Sequence, residues 1–208
     1  MGVVTALRGG PRGRVAVYVD GAYVCSVSAA LLAARRLFQG LELDERAVDD
    51  LREAASAERV LDDARRLLAQ RQRSRSELAG RLRDRGHTEK AVAAALERLA
   101  ADGLVDDAAF AAAYVADKRR LQGWGEERIR RGLAGLGVAR EIAEAALGGG
   151  DEEAELGRAL AVLERLGPPR PPLEAARRRA YAALQRRGYA GAVAYQAVQR
   201  WSGGAPPD

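Results

Sequence analysis

Apolar and polar positions change rhythm along this chain. From Arg14 the run RVAVYV, the pair Asp20-Gly21 and the run AYVCSV set two short β-prone segments around a turn-forming dipeptide. A type I′ turn needs positive φ at both central residues, which Asp-Gly tolerates, so the pattern predicts a β-hairpin. Ser28 then caps a short helix predicted to reach about Phe38 and to stop at Gly40. Leu43 to about Ala55 reads as a further helix, acidic and exposed. Ahead of the hairpin, Gly9, Gly10, Pro11 and Gly13 predict a disordered arm over residues 1–13.

From Glu58 onward the spacing is helical. Val60, Leu61, Ala64, Leu67 and Leu68 form a buried stripe. Ser74 and Glu77 form a capping box for a helix carrying Leu78 and Leu82 and ending at Gly86. Thr88 caps a third, with Val92, Leu96 and Leu99 inward and Gly103 closing it. This three-helix pattern recurs: Gly86, Gly137 and Gly188 are 51 residues apart each time, as are Leu82, Leu133 and Leu184, and Leu96, Leu147 and Val198. The insert Gly-Pro-Pro-Arg-Pro-Pro at 167–172 is a stiff loop after a helix expected over about Asp151 to Leu166. The fold class is therefore mainly α, with three tandem three-helix repeats in an elongated curved array behind a small β-hairpin plus helix segment. The divisions are an arm at 1–13, the hairpin and short helices at 14–56, repeats at 57–105, 106–149 and 150–202, and a disordered tail at 203–208.

Composition narrows the function. The chain has 208 residues, 48% of them hydrophobic, and no apolar run approaching the length of a membrane span. Cys25 is the only cysteine and His87 the only histidine, so neither a disulfide framework nor a Cys/His zinc site is expected, and the reading is cytoplasmic. No phosphate-binding loop or nucleophile with a base is evident; an enzyme and a cofactor are not expected. The formal net charge is only +5, yet 65–85 and 170–201 each carry a local +6, 118–131 carries +4, and 41–63 carries −6. Positive charge thus recurs once per repeat. Arginine's planar fork suits phosphate and carboxylate. The candidate contacts are Arg71, Arg73, Arg75, Arg81 and Arg83 in the first repeat, and Lys118, Arg119, Arg120, Trp124, Arg128, Arg130 and Arg131 in the second. Arg177, Arg178, Arg186 and Arg187 are the candidates in the third. The plainer alternative is that these arginines cover a solvated helical surface.

Single residues add less. His87 reads as a surface turn residue, Cys25 as buried and inert, and Phe110 and Tyr114 as core. Trp124, between Gly123 and Gly125, reads as a wedge between helices or, less strongly, as a stacking surface. Asp102 to Asp107 reads as a helix stop, a turn and a new N-cap.

Several of these features occur together in a known family. The stretch from Ser76 to Val138, with its Arg85-Gly86 turn, the Gly103-Leu-Val-Asp-Asp-x-x-Phe110-Ala111 run and the basic Lys118-Arg119-Arg120 ahead of a helix ending at Gly137, resembles the RecX family, most strongly over roughly 58–147. The N-terminal hairpin looks like the extra segment of longer members. The resemblance implies a non-enzymatic regulator in DNA repair, recombination and the SOS response. It would bind the RecA filament on single-stranded DNA, lying in its helical groove, and inhibit strand exchange and ATPase. Single-stranded DNA, or duplex DNA, would be a weaker direct partner, and a monomer is the default for an open repeat array. The alternatives are a helix-turn-helix-like DNA-binding protein, disfavoured because the chain has no Asn for adenine readout, and a helical protein-interaction scaffold.

Overall fold

The structure is a computed structural model in which residues 1–203 are described; the expected tail lies, beyond Gly203, outside the described residues. The chain forms two compact units, one of Met1–Gln72 with Leu78–Val105 and one of Arg73–Glu77 with the chain from Asp106 onward. Among the described residues no helix is long and apolar enough to cross a membrane.

The first unit opens with a four-stranded antiparallel sheet in the order β3-β2-β1-β4, formed by β1 (Gly2–Gly9), β2 (Arg14–Val19), β3 (Ala22–Ser28) and the short β4 (Glu42–Leu43). The β2–β3 turn is the expected one: Asp20 and Gly21 have φ of 49° and 81°, and Val19 pairs with Ala22. The disordered arm is overturned. Residues 2–9 are β1, paired with β2 from Val4↔Val19 to Gly9↔Val15. Val4 is fully buried, and Asp20 Oδ1 accepts a hydrogen bond from the Val3 N–H (2.9 Å). The glycines that imitate disorder serve the tight turn between β1 and β2 instead.

Ser28 caps α1 (Ala29–Ala34) by accepting from the Leu31 N–H (2.9 Å), but α1 stops four residues short of Phe38, where Arg36 turns left-handed. A second correction concerns the acidic helix. It does not end near Ala55: α2 runs unbroken over Glu45–Gln70, across the expected boundary at 56/57. No glycine or proline interrupts Ala55 to Glu58. Asp44 caps its start (2.6 Å to the Ala47 N–H), and Leu51 and Ala55 are buried beneath Val4, Val17 and Val27 of the sheet. Glu58 fastens α2 to the end of the hairpin, accepting from the Ser28 N–H (3.0 Å) and hydroxyl (2.6 Å). Farther along, Val60, Ala64 and Leu67 of α2 join Leu78 and Leu82 of α3 (Arg75–Arg83) and Val92, Leu96 and Leu99 of α4 (Glu89–Ala101) in one apolar core. His87 is corrected too. Its side chain is only 6% exposed, and Nε2 lies 3.0 Å from Asp63 Oδ2, so it joins the turn after α3 to α2.

The second unit contains two further three-helix groups. The first has α5 (Asp107–Asp117), continued by a π-helical turn over Lys118–Gln122, then α6 (Glu126–Gly135) and α7 (Arg140–Leu147). The second has α8 (Glu152–Glu164), α9 (Leu173–Arg187) and α10 (Gly191–Trp201). Leu82, Leu133 and Leu184, the periodic trio, are all 0% exposed. Gly86, Gly137 and Gly188, the periodic glycines, have φ of 83°, 71° and 84°, a left-handed turn closed to most side chains. The proline-rich loop is pinned where Trp201 Nε1 donates to the Gly167 carbonyl (3.2 Å).

Tyr189, 3% exposed in the last of these cores, has its hydroxyl pushed up to about 12, mainly by burial. Unfolded tyrosine loses its proton near pH 10, so between about 10 and 12 the folded chain holds a proton that the unfolded chain releases. The stability due to the neutral buried ring is therefore whole below pH 10 and falls as pH rises toward 12, by about 2–3 kcal/mol. Urea titrations at pH 8 and pH 11 are expected to show about half of this loss, ~1.4 kcal/mol, in the wild type, and a loss smaller by that amount in Tyr189→Phe. Equal losses in both proteins would refute the assignment.

Candidate interaction surface

The arginines that sequence reasoning grouped by sign are divided by the fold according to partner. In the first group, Arg71, Arg81 and Arg83 are exposed, Arg83 lying 3.2 Å from Glu89. Arg75 is half-buried at the start of α3, where its N–H donates to Asp107 Oδ1 (2.7 Å). Arg73 is not a surface residue: it is 8% exposed and bonded to Glu77 one helical turn on (2.5 Å). Ser74 of the same segment accepts from the Glu77 N–H, as the capping box requires, and gives its own hydroxyl hydrogen to the Leu136 carbonyl.

In the second group the cations surround Trp124. The Lys118 ammonium lies 4.8 Å and the Arg128 guanidinium 4.1 Å from the Trp124 ring centroid, and Lys118 also sits 5.0 Å from the Tyr114 ring. The indole is half-buried against the apolar core that includes Phe110 and Ile129, so it is a packing residue whose remaining surface holds cations. Each such contact is worth about 0.5–1 kcal/mol at an exposed site. Arg128 also donates to the Arg186 carbonyl (2.9 Å), which brings the basic segments of the second and third groups together across 58 residues of sequence. Two glycines permit this approach. The Gly125 N–H donates to the Arg187 carbonyl (2.8 Å), and a β-carbon on Gly125 would lie 2.5 Å from backbone atoms of Gly188 and Tyr189.

Other candidates turn inward. Arg119 donates to Glu126 (2.9 Å) and to the Leu147 carbonyl (2.9 Å). Arg130 lies between Glu144 (2.6 Å) and Glu127 (2.8 Å); the hydrogen bond with Glu144 raises the arginine's pKa and lowers the carboxyl's. Arg177 bonds Ser202 (2.9 Å) and Glu174, and Arg187 the Ala183 carbonyl. Of the candidates in this unit, Arg120 (3.4 Å from Asp117), Arg128, Arg131, Arg178 and Arg186 remain exposed. A set of cations partly immobilised by an aromatic ring and backbone carbonyls meets an anionic partner with less side-chain freedom left to lose.

A buried charge network was missed altogether. Glu126 Oε1 accepts from both Arg119 and Arg158 (2.9 Å each), and Glu155 Oε1 accepts from the Glu126 N–H (3.0 Å). Burial raises the Glu155 carboxyl above its ordinary range and lowers Arg119 below its own. The signal was present: Glu155 stands in register with Ala159 and Val162 on the inward stripe of α8, where a carboxylate requires partners.

The comparisons with known proteins follow this division. Residues 55–99 and 106–147 match the models of the first and second three-helix domains of RecX. The regulatory protein RecX of Mycobacterium ulcerans is 41% identical over 136 residues, which cover 64% of this chain and 79% of that protein. The chain belongs to the RecX family. The RecX protein of Chromohalobacter salexigens is likewise 42% identical over 129 residues, covering 62% of this chain and 83% of its own. A crystal structure of regulatory protein RecX has the same fold, with a TM-score of 0.70 at 23% identity over 96% of this chain and all of that one. The Trp124 surface falls inside the second RecX domain, and α8 to α10 lie beyond both matched stretches.

Proposed function

We propose that this RecX regulator binds the RecA recombinase in its filament on single-stranded DNA and restrains ATP hydrolysis and strand exchange during repair and recombination. It acts as a cytoplasmic monomer without enzymatic activity of its own. Beyond family membership, the observation that carries the reading is the recurrence of exposed arginine in each three-helix group: Arg81 and Arg83, then Arg120, Arg128 and Arg131, then Arg178 and Arg186. Repeated cationic contacts suit a partner that is itself a regular array, because weak contacts on one chain add through effective concentration.

The test is RecA ATPase on single-stranded DNA, titrated with this protein at two salt concentrations. Suppression well below one molecule per recombinase monomer, at both salts, is expected. Suppression only at amounts that coat the DNA, and lost at the higher salt, would make the protein a competitor for the strand instead. Changing Arg120, Arg131, Arg178 and Arg186 together to Ala is expected to raise the half-suppressing concentration about tenfold and flatten its salt dependence. Helicity should survive, since alanine is the better helix former. Unchanged suppression by the folded variant would reduce these arginines to a solvated face.

A further inference from the structure

A cavity of about 580 Å³ lies in the first unit between α2 and the β1–β2 turn. One wall is a single helical face: Arg59, Asp62, Asp63 and Arg66 follow the i, i+3, i+4, i+7 spacing. The opposite side carries Arg12, Arg14 and Tyr23. Both carboxylates are already engaged. Asp62 accepts from Arg14 (3.1 Å), and Asp63 takes Arg66 (3.4 Å) and His87 (3.0 Å). Arg14 is held at the back by the Ser26 carbonyl (2.6 Å) and Glu58, and its buried Nε has no hydrogen-bond partner among the described residues. Arg12 and Arg59 differ. Both are exposed, and among the described residues neither has a carboxylate partner. Arg12 is also held at a φ of 61°, an uncommon conformation for a residue with a side chain. Tyr23 is 57% exposed; its hydroxyl lies 3.1 Å from Ser26 Oγ and its ring meets that of Tyr18 at 73° (centroids 5.9 Å apart), which steadies a half-exposed ring at the rim.

We propose that this cavity binds the phosphate of a nucleotide, with Arg12 and Arg59 taking the phosphate oxygens and the Tyr23 ring stacking on the base. Guanidinium forks bind phosphate oxygens in pairs, and stacking on an aromatic side chain accepts any base. The volume is that of an ordinary small-ligand site. The chemistry is shared by a free nucleotide and by the phosphorylated end of a strand. It does not depend on RecA, so the site stands or falls separately from the regulatory reading.

Calorimetric titration of the full chain with ADP, adenosine, inorganic phosphate and a trinucleotide with or without a 5′-phosphate tests it. ADP and the phosphorylated trinucleotide are expected to bind at least tenfold more tightly than adenosine and the unphosphorylated trinucleotide. The tighter of the two phosphorylated probes identifies the source. R12A/R59A, with circular dichroism unchanged, is expected to weaken both at least tenfold. Tyr23→Leu is expected to weaken ADP about tenfold while leaving inorganic phosphate unaffected. Equal binding of ADP and adenosine, no binding of any phosphorylated probe, or wild-type affinity in R12A/R59A would overturn the proposal.

Discussion

Gly125→Ala is expected to destabilise the second unit by about 3–4 kcal/mol, from overpacking and two broken backbone hydrogen bonds. The residue itself has an ordinary extended backbone, with φ of −78°, so alanine meets no conformational penalty there. The cost is steric. Its β-carbon would fall 2.5 Å from the Gly188 oxygen and the Tyr189 nitrogen, and neither backbone atom can swing aside as a flexible side chain would. Relief requires α6 and α9 to separate, which breaks the bonds from the Gly125 and Glu127 N–H groups to the Arg187 and Gly188 carbonyls. Trp124 and Trp201 both belong to this unit, so urea unfolding followed by tryptophan fluorescence reads it directly. Gly157→Ala is the control, on a helix with nothing within 4 Å of the added carbon, and it should stabilise by about 0.5–1 kcal/mol. A Gly125→Ala midpoint equal to the wild type would show that the two backbones do not meet as described.

The second large effect is expected at Glu126. Its carboxylate is the shared partner of Arg119 and Arg158, whose side chains are only 23% and 27% exposed. In Glu126→Ala the two guanidiniums retain the nearby charge of Glu155 but lose their common acceptor, and the Nε atoms of both are already buried without partners among the described residues. Removing one member of a buried ion cluster costs about 3 kcal/mol, because the remaining charges stay desolvated. Adding Arg158→Ala removes one stranded charge, so the double variant should be more stable than the sum of the two single losses indicates. Strict additivity in a denaturation cycle would mean that the two residues do not communicate.

These sites were legible in the sequence to different degrees, for physical reasons. A leucine that returns every 51 residues meets the same environment each time, so Leu82, Leu133 and Leu184 reveal the repeated core without coordinates. Asp20-Gly21 is similarly self-sufficient, because its turn is decided by two residues. Charge is different. Sign and density along the chain identified the basic segments, but the fate of each long side chain depends on what crosses nearby. Arg73 found Glu77, Arg130 found Glu144 across 14 residues, and Arg128 found the Arg186 carbonyl across 58. β1 was hidden for another reason: the Gly10-Pro11-Arg12-Gly13 turn that follows it reads as a disordered arm, and its pairing with β2 is what defines it.

The continuity of α2 has a consequence for how the N-terminal sheet and the first three helices can vary. At 26 residues this helix is about 39 Å long. Its first half carries Leu51 and Ala55 under the sheet, and its second half carries Val60, Ala64 and Leu67 into the helical core. The two parts are thus spliced through a single rod and cannot be exchanged as separate cassettes. A graft or deletion at the junction cuts a helix in two and strips one hydrophobic face from each side, so the sheet and the first three helices must melt, and be inherited, as one piece.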